Sequence, residues 1–305
     1  MKEKELHRIT TIAEFHRIRG LQPPAHPLIS VVNYADVILS PENNHINWML
    51  DYYSISLKRD VVVKFRYGQQ KYDYDEGIMY FIAPGQVFNI EVPVPLGEEQ
   101  AKRSGWMLLL HPDFFWNTAL SKNIKQYEYF GYATNEALFL SEKEEATIIN
   151  IIQNIRHEYN SNIDKFTQQI IVSHIETLLN YADRFYNRQF ITRKITNHQV
   201  LEKLEALLAS EGLFADGIPS VQLISERLNI SPNYLSSLLK NLTGQSTQQH
   251  IQNKLINIAK QKLSTTGLSV NEVAYELGFE HPQSFRKFFK AKTNMSPVEF
   301  RESFN

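Results

Sequence analysis

The sequence predicts an α+β chain: a β-rich N-terminal region closed by a pair of helices, then an all-helical C-terminal region. Three observations carry this. Residues 1–120 contain short runs of β-branched and aromatic residues separated by turn signals. Residues 141–188 carry apolar residues at three- and four-residue spacing. The last hundred residues repeat themselves at a nearly fixed offset. At 305 residues there is room for about two domains. We place them at 1–190, β-rich over 1–120 and helical over 121–190, and at 191–305.

Within the first region, Val31 to Leu39 and Asp60 to Tyr67 read as strands, and Gly68 to Lys71 as a turn. Gly77 to Ile82 reads as a strand closed by the Pro84-Gly85 turn, and Gly105 to Leu110 as an apolar strand ending at His111-Pro112. This pattern suits a sandwich or a small barrel. Ser141-x-x-Glu144 has the spacing of a capping box. Ile148, Ile152, Ile155 and Tyr159 then share a helix face. A second helix carries Phe166, Ile170, Leu178, Tyr181 and Phe185. These stripes are expected to cover the β-region, to pair with a second copy, or both. Arg188 to Asn197 is polar and reads as a linker.

Composition excludes several function classes. Hydrophobic residues make up 43% and charged residues 21%, a globular balance. With no cysteine there is no disulfide, no thiolate metal site and no cysteine nucleophile. Met1 to Arg8 lacks the apolar core of a secretory signal, and the longest clean apolar run is Trp106 to Leu110. The expected location is the cytoplasm, without a membrane partner. From Asn197 onward there are 11 basic and 10 acidic residues, so bulk charge does not announce a nucleic-acid binder. Local charge says more. His281 to Lys292 holds Arg286, Lys287, Lys290 and Lys292 with no acid, and Ser231 to Lys254 holds two lysines with no acid.

The repeat is specific. Ser225-x-x-Leu228 aligns with Ala274-x-x-Leu277 at an offset of 49, and Ile230 with Phe279. One extra residue in the second turn moves the offset to 50. Leu235 then matches Phe285, Leu239 matches Phe289, Lys240 matches Lys290, Thr243 matches Thr293 and Ser246 matches Ser296. Gly244 matches Asn294, the two residue types most at ease in the left-handed conformation that ends a helix. Ser231-Pro232 and His281-Pro282 each begin a helix with proline in the first turn. Each copy reads as a helix-turn-helix, over 221–241 and 270–292. Thr247 to Leu263 reads as the helix between them, about 25 Å long at 1.5 Å per residue. That separation is comparable to one turn of DNA, so two reading helices could enter successive major grooves.

The run Val273-Ala274-Tyr275-Glu276-Leu277-Gly278-Phe279, then Ser284-Phe285-x-x-x-Phe289-Lys290, then Thr293-Asn294-Met295-Ser296-Pro297-x-x-Phe300-Arg301 resembles the signature of AraC/XylS-type transcription regulators. The resemblance covers roughly Val221 to Arg301. Asn294 stands where glycine is usual, and Ser225 where alanine is usual. The resemblance implies a sequence-specific DNA-binding regulator with an N-terminal cupin-like sensor barrel and helices that mediate dimerisation. Phe15-His16, His26-Pro27-Leu28-Ile29-Ser30 and Tyr72-x-Tyr74-x-Glu76-Gly77 resemble a subgroup with an unassigned sensor domain. The partners so implied are double-stranded DNA, a second copy through 141–188, a small-molecule effector of unspecified identity, and RNA polymerase if the chain activates.

On the family's pattern, bases are approached from Asn233, Ser236, Ser237 and Lys240 in the first unit and from Gln283, Ser284, Arg286, Lys287 and Lys290 in the second. Asn and Gln can pair with adenine, and Arg or Lys with guanine. Lys240 and Lys290, at equivalent late positions, suit phosphate. Leu235, Leu238, Leu239, Phe285, Phe288 and Phe289 read as core. No catalytic residue, metal or cofactor is expected. The sequence has no His-x-His, and His26, His45 and His111 are widely spaced and read as structural. Phe65, Tyr67, Tyr72, Tyr74, Tyr80, Phe81 and Trp106 either line a ligand cavity or fill the barrel. Two other readings stay open. One is a metal-independent cupin enzyme or binding protein carrying a DNA-anchoring domain. The other is a regulator controlled by a protein partner.

Overall fold

A computed structural model of the chain describes residues 5–40, 46–59, 77–90, 104–133, 136–161, 164–192, 194–210, 212–214 and 217–303. The chain divides into two compact units, Met1–Gln189 and Phe190–Asn305. No helix of the described residues is long and apolar enough to cross a membrane.

The described residues of the first unit form two sheets. Strands β1 (Glu5–Ile9), β3 (Ile46–Leu50) and β6 (Val87–Asn89) form one, in the order β1-β3-β6, with β1 parallel to β3. Strands β2 (Ile29–Asn33), β4 (Tyr53–Arg59), β5 (Gly77–Ile82), β7 (Ser104–Leu110) and β8 (Leu138–Leu140) form the other. Its order is β2-β7-β4-β5-β8, antiparallel throughout. The strands expected at 77–82 and 105–110 are present as β5 and β7. The strand expected over 31–39 stops at Asn33, whose side chain accepts from Ala35 N and starts a 3-10 turn over Tyr34–Asp36. The strand expected at 60–67, its turn at 68–71 and the Tyr72 to Glu76 phrase lie outside the described residues. Between β1 and β2 runs the short helix α1 (Ile12–Ile18), capped by Thr11. The short helix α2 (Leu120–Asn123) follows β7.

The helical pair is α3 (Glu142–Tyr159) and α4 (Thr167–Thr192). Ser141 and Glu144 form the expected capping box. The apolar stripes are interior: Ile148, Ile152 and Ile155 on α3, and Ile175, Leu178 and Phe185 on α4, are all buried. Directional bonds hold the pair to the strands. Gln189 accepts from Phe139 N at 2.9 Å and donates to Ala137 O at 3.2 Å. Arg188 pairs with Glu144 at 2.6 Å, and Tyr129 Oη donates to Leu179 O at 2.8 Å. Arg59 on β4 pairs with Glu145, which is buried. The stripes therefore cover the β-region of their own unit. Only Phe166 and Ile170 of the two stripes stand exposed.

Among its described residues the second unit holds helices joined by turns and no strand. The segment read as a linker, 188–197, contains the division between the two units, at Gln189 and Phe190, and carries the end of α4 and the start of α5 (Lys194–Ala209). Then come α6 (Val221–Leu228), α7 (Pro232–Thr243), α8 (Thr247–Thr265), α9 (Val270–Glu276), α10 (Pro282–Thr293) and α11 (Pro297–Glu302). Its core is built from Leu204, Ile224, Leu235, Leu238, Leu239, Ile251, Leu255, Leu263, Val273, Phe285 and Phe289.

Candidate DNA-binding interface

The two copies of the repeat are alike down to individual hydrogen bonds. In the first, α6 ends at Asn229, which is left-handed with φ 55°, and Ile230 N donates to Ser225 O at 3.0 Å. In the second, Gly278 is left-handed with φ 77°, and Phe279 N donates to Ala274 O at 3.0 Å. Both bonds close the turn between the two helices of a unit. At the far ends of the second helices the match continues. Gly244 N donates to Lys240 O at 3.0 Å and Asn294 N to Lys290 O at 2.8 Å. Thr243 Oγ1 donates to Leu239 O at 2.9 Å and Thr293 Oγ1 to Phe289 O at 2.8 Å. Gly244 and Asn294 have φ 73° and 60°, the left-handed conformation that their residue types anticipate.

Ser225 and Ala274 are both fully covered where the helices of each unit cross. The Ser225 hydroxyl has no hydrogen-bond partner there. Position 225 demands small size, and the oxygen is a cost rather than a contact.

Each second helix turns its apolar side inward. Leu235, Leu238, Leu239, Phe285 and Phe289 are core, as expected, whereas Phe288 is only half-buried and packs on Phe279 with ring centroids 5.7 Å apart. The outward side of α10 presents Gln283, Ser284, Arg286, Lys287 and Lys290, all exposed. With Lys292 they make an acid-free basic face. Arg286 is braced: its Nη2 donates to Asn271 Oδ1 on α9 at 2.9 Å. Lys290 also helps to hold the Glu299 carboxyl below the ordinary carboxylate range. The larger causes of that shift are the bonds Glu299 makes with Ser296.

On α7, Asn233 and Lys240 are exposed. Ser236 is half-buried and shares a 3.1 Å hydrogen bond with Thr247 Oγ1. Ser237 departs from the expected exposed face: it is 8% exposed, because α7 buries a broad side that includes Tyr234, Leu235, Leu238 and Leu239. Sequence reasoning missed Asn271, because the Arg286 contact spans fifteen residues and no local spacing encodes it. It also passed over Asn229, although the offset of 49 aligns that residue with Gly278.

The two reading helices are joined by α8, whose 19 residues give about 28 Å of helix. Ser246 and Gln249 cap its start. Its end is fastened twice: Lys262 pairs with Glu276 of α9 at 2.6 Å, and Arg301 of α11 donates to Leu263 O and Leu268 O. These bonds tie the end of α8 to α9 and α11 of the second helix-turn-helix.

In the first unit, the histidines considered as ligands hold turns. His26 Nδ1 accepts from Leu28 N, and His111 Nδ1 caps the 3-10 turn at Pro112–Phe115. His45 lies outside the described residues. Among the described residues no group of three His, Asp or Glu side chains is placed to hold a metal ion.

A family model described as a helix-turn-helix domain matches residues 224–303. The HTH-type transcriptional regulator YtdP of Bacillus subtilis is 32% identical over 79 residues, 26% of this chain and 10% of that protein. A second regulator of that organism, YfiF, is 31% identical over 140 residues, 46% of this chain and 42% of its own length. The arabinose operon regulatory protein of Escherichia coli is 32% identical over 87 residues, 28% of this chain and 30% of that one. The chain thus spans less than half the length of these curated relatives. Among solved structures, the C-terminal domain of the response regulator yesN from Fusobacterium nucleatum is 29% identical. It covers 34% of this chain and 98% of that one, with a TM-score of 0.31. The sequence matches, laid over the duplicated helix-turn-helix and its connecting helix, establish that residues 224–303 are a helix-turn-helix domain of the AraC type, the DNA-binding domain of transcription regulators.

Proposed function

We propose that the chain is a transcription regulator that binds specific double-stranded DNA by setting α7 and α10 into successive major grooves. The acid-free outer face of α10, repeated in register by α7, is the observation that carries this reading. Gln283 and Lys287 read bases, Arg286 is aimed by Asn271, and Lys240 and Lys290 meet phosphate. The N-terminal unit regulates that binding through a small effector, and a second copy docks within 141–188. The exposed Phe166 and Ile170 support the docking surface, which is narrower than the stripes suggested. Where the chain activates, RNA polymerase is the further partner. No reaction is assigned to it, and its place of work is the cytoplasm, where the DNA is.

The test is selection of bound duplexes from a random pool by the full chain. Enrichment of a site spanning two adjacent grooves, weakening as salt rises by about 0.9 log units per log unit of salt for each phosphate neutralised, is the expected result. A folded chain that enriches no sequence overturns the reading.

A further inference from the structure

The two reading helices share one frame and differ in what they carry. At the offset of 50, Asn233 stands opposite Gln283, Ser236 opposite Arg286, Ser237 opposite Lys287 and Leu242 opposite Lys292. α7 therefore holds one basic residue, Lys240, where α10 holds four. The serines do not make up for the lost reach. Ser237 is buried, and the half-buried Ser236 shares its hydrogen bond with Thr247, which is fully buried. Ser284 is exposed, but its counterpart Tyr234 is buried, with its ring centroid 5.1 Å from that of Phe190. Packing accounts for part of this, because α5 lies against both α6 and α7. Of the four residues expected to read from α7, only Asn233 and Lys240 are exposed.

The helices that precede them also differ. In the second unit Arg286 Nη2 donates to Asn271 Oδ1 of α9 at 2.9 Å. The offset of 49 puts Gln222 in the place of Asn271, and Gln222 Nε2 instead donates to Glu226 Oε1 of its own helix at 2.8 Å. A guanidinium carries five N–H donors. The brace uses one, and those that remain suffice for a two-bond contact with O6 and N7 of guanine. A long side chain gives up rotamer freedom when it binds, and one already held gives up less.

We propose that the two heads are unequal. α10 carries most of the sequence specificity through Arg286, which reads guanine and is positioned by Asn271. α7 is a docking head that specifies one base pair, through Asn233. Asparagine can bond N6 and N7 of adenine together, so that pair is A·T. This inference rests on the transcription-regulator reading and gives the bound DNA a form: a closely specified sub-site and, about one helical turn away, a loosely specified one.

The test is selection from random duplexes by the full chain and by variants at these positions, each shown to be folded by far-UV circular dichroism. Wild type should enrich a lopsided site, with several base pairs fixed in one sub-site and one in the other. Arg286→Ala should lower the preference for one guanine in the specified sub-site by about tenfold or more. Asn271→Ala should lower the preference at that same guanine and at no other position, and Asn271→Asp, which keeps an acceptor oxygen, should preserve it. A merely structural role for Asn271 would weaken all duplexes alike and leave the preferences unchanged, and that result would overturn its positioning role. Asn233→Ala should erase the single preference in the other sub-site, and Ser236→Ala should leave every preference as it is. Two equally specified sub-sites, or a preference lost with Ser236→Ala, would overturn the unequal heads and leave the regulator reading standing. A folded wild-type chain that enriches no site overturns both.

Discussion

Adding one methyl group at position 278 should damage the second helix-turn-helix out of proportion to its size. Gly278 is left-handed at φ 77°, and a Cβ built there lies 2.3 Å from Gly217 Cα and 2.8 Å from Gly217 C. Both obstacles are backbone, so no side-chain rotation relieves them. Gly244, with nearly the same φ of 73°, has nothing within 4 Å of its would-be Cβ. The left-handed strain, about 1 kcal/mol, is common to Gly244→Ala and Gly278→Ala. Only the second adds overpacking, about 1–3 kcal/mol. Gly278→Ala should therefore be less stable than Gly244→Ala by about 2 kcal/mol. At a urea m-value of about 2 kcal/mol/M that is a difference of about 1 M in midpoint. The assay is urea titration followed by far-UV circular dichroism and by tryptophan fluorescence. The difference between the variants is expected in the helical signal, with little in the fluorescence of the first unit. Equal midpoints for the two variants would refute the argument from close approach.

Other substitutions separate further parts of the argument. Ser225→Ala removes an unpartnered buried hydroxyl and should stabilise the second unit by about 1 kcal/mol, read as a higher urea midpoint; a lower one would mean that the hydroxyl is bonded. Gln283→Ala and Lys287→Ala should relax preference at one base pair each, at about 1–3 kcal/mol, while Lys290→Ala weakens all duplexes alike. Uniform losses in all three would reverse the assignment of bases and phosphates. Glu272 and Glu299 have pKa values lowered by their hydrogen bonds to Ser269 and Ser296. The stability they contribute is present above the ordinary glutamate pKa and is lost as pH falls through the lowered value. Glu272→Gln with Glu299→Gln keeps the caps, as Gln249 does on α8, and should flatten the acid limb of a melting-versus-pH curve without moving its neutral plateau. Ile152→Glu buries a carboxylate at a site 3% exposed and should unfold the first unit rather than yield a folded monomer, as sedimentation and fluorescence would show.

The second unit was legible because each local signal agreed with its tertiary role. Proline, serine caps and left-handed Asn or Gly mark the helix ends, and the offset ties the copies together. The first unit was less legible because its strands are short and their partners distant. In β1, Leu6 is exposed and only Ile9 is buried, so five residues give no alternation to detect. β8 has three residues inside a stretch that reads as helical, and it exists because β5 offers an edge. Residues 188–192 and 194–197 of the polar run are helical, with Phe190 and Asn197 buried and Asn197 Nδ2 donating to Phe190 O, a contact within the fold. In the candidate site, residue types and order were readable, whereas burial of Ser237 and the Asn271 brace on Arg286 are tertiary.

The registers of the sheets set an order of events when the chain refolds. β2 pairs with β7, placing Ile29 against Leu110, and β1 lies parallel to β3, placing Glu5 beside Ile46. Such pairings require long loops to close before any contact rewards them, which slows folding. In the second unit α6 meets α7, and α9 meets α10, across turns of a few residues. The helical unit should therefore form first after dilution from denaturant. On the proposed reading, the chain passes through a stage in which it already grips an operator and is still deaf to its effector. On that same reading regulation, in time as well as in space, arrives as a second layer over a DNA-binding element that is complete without it.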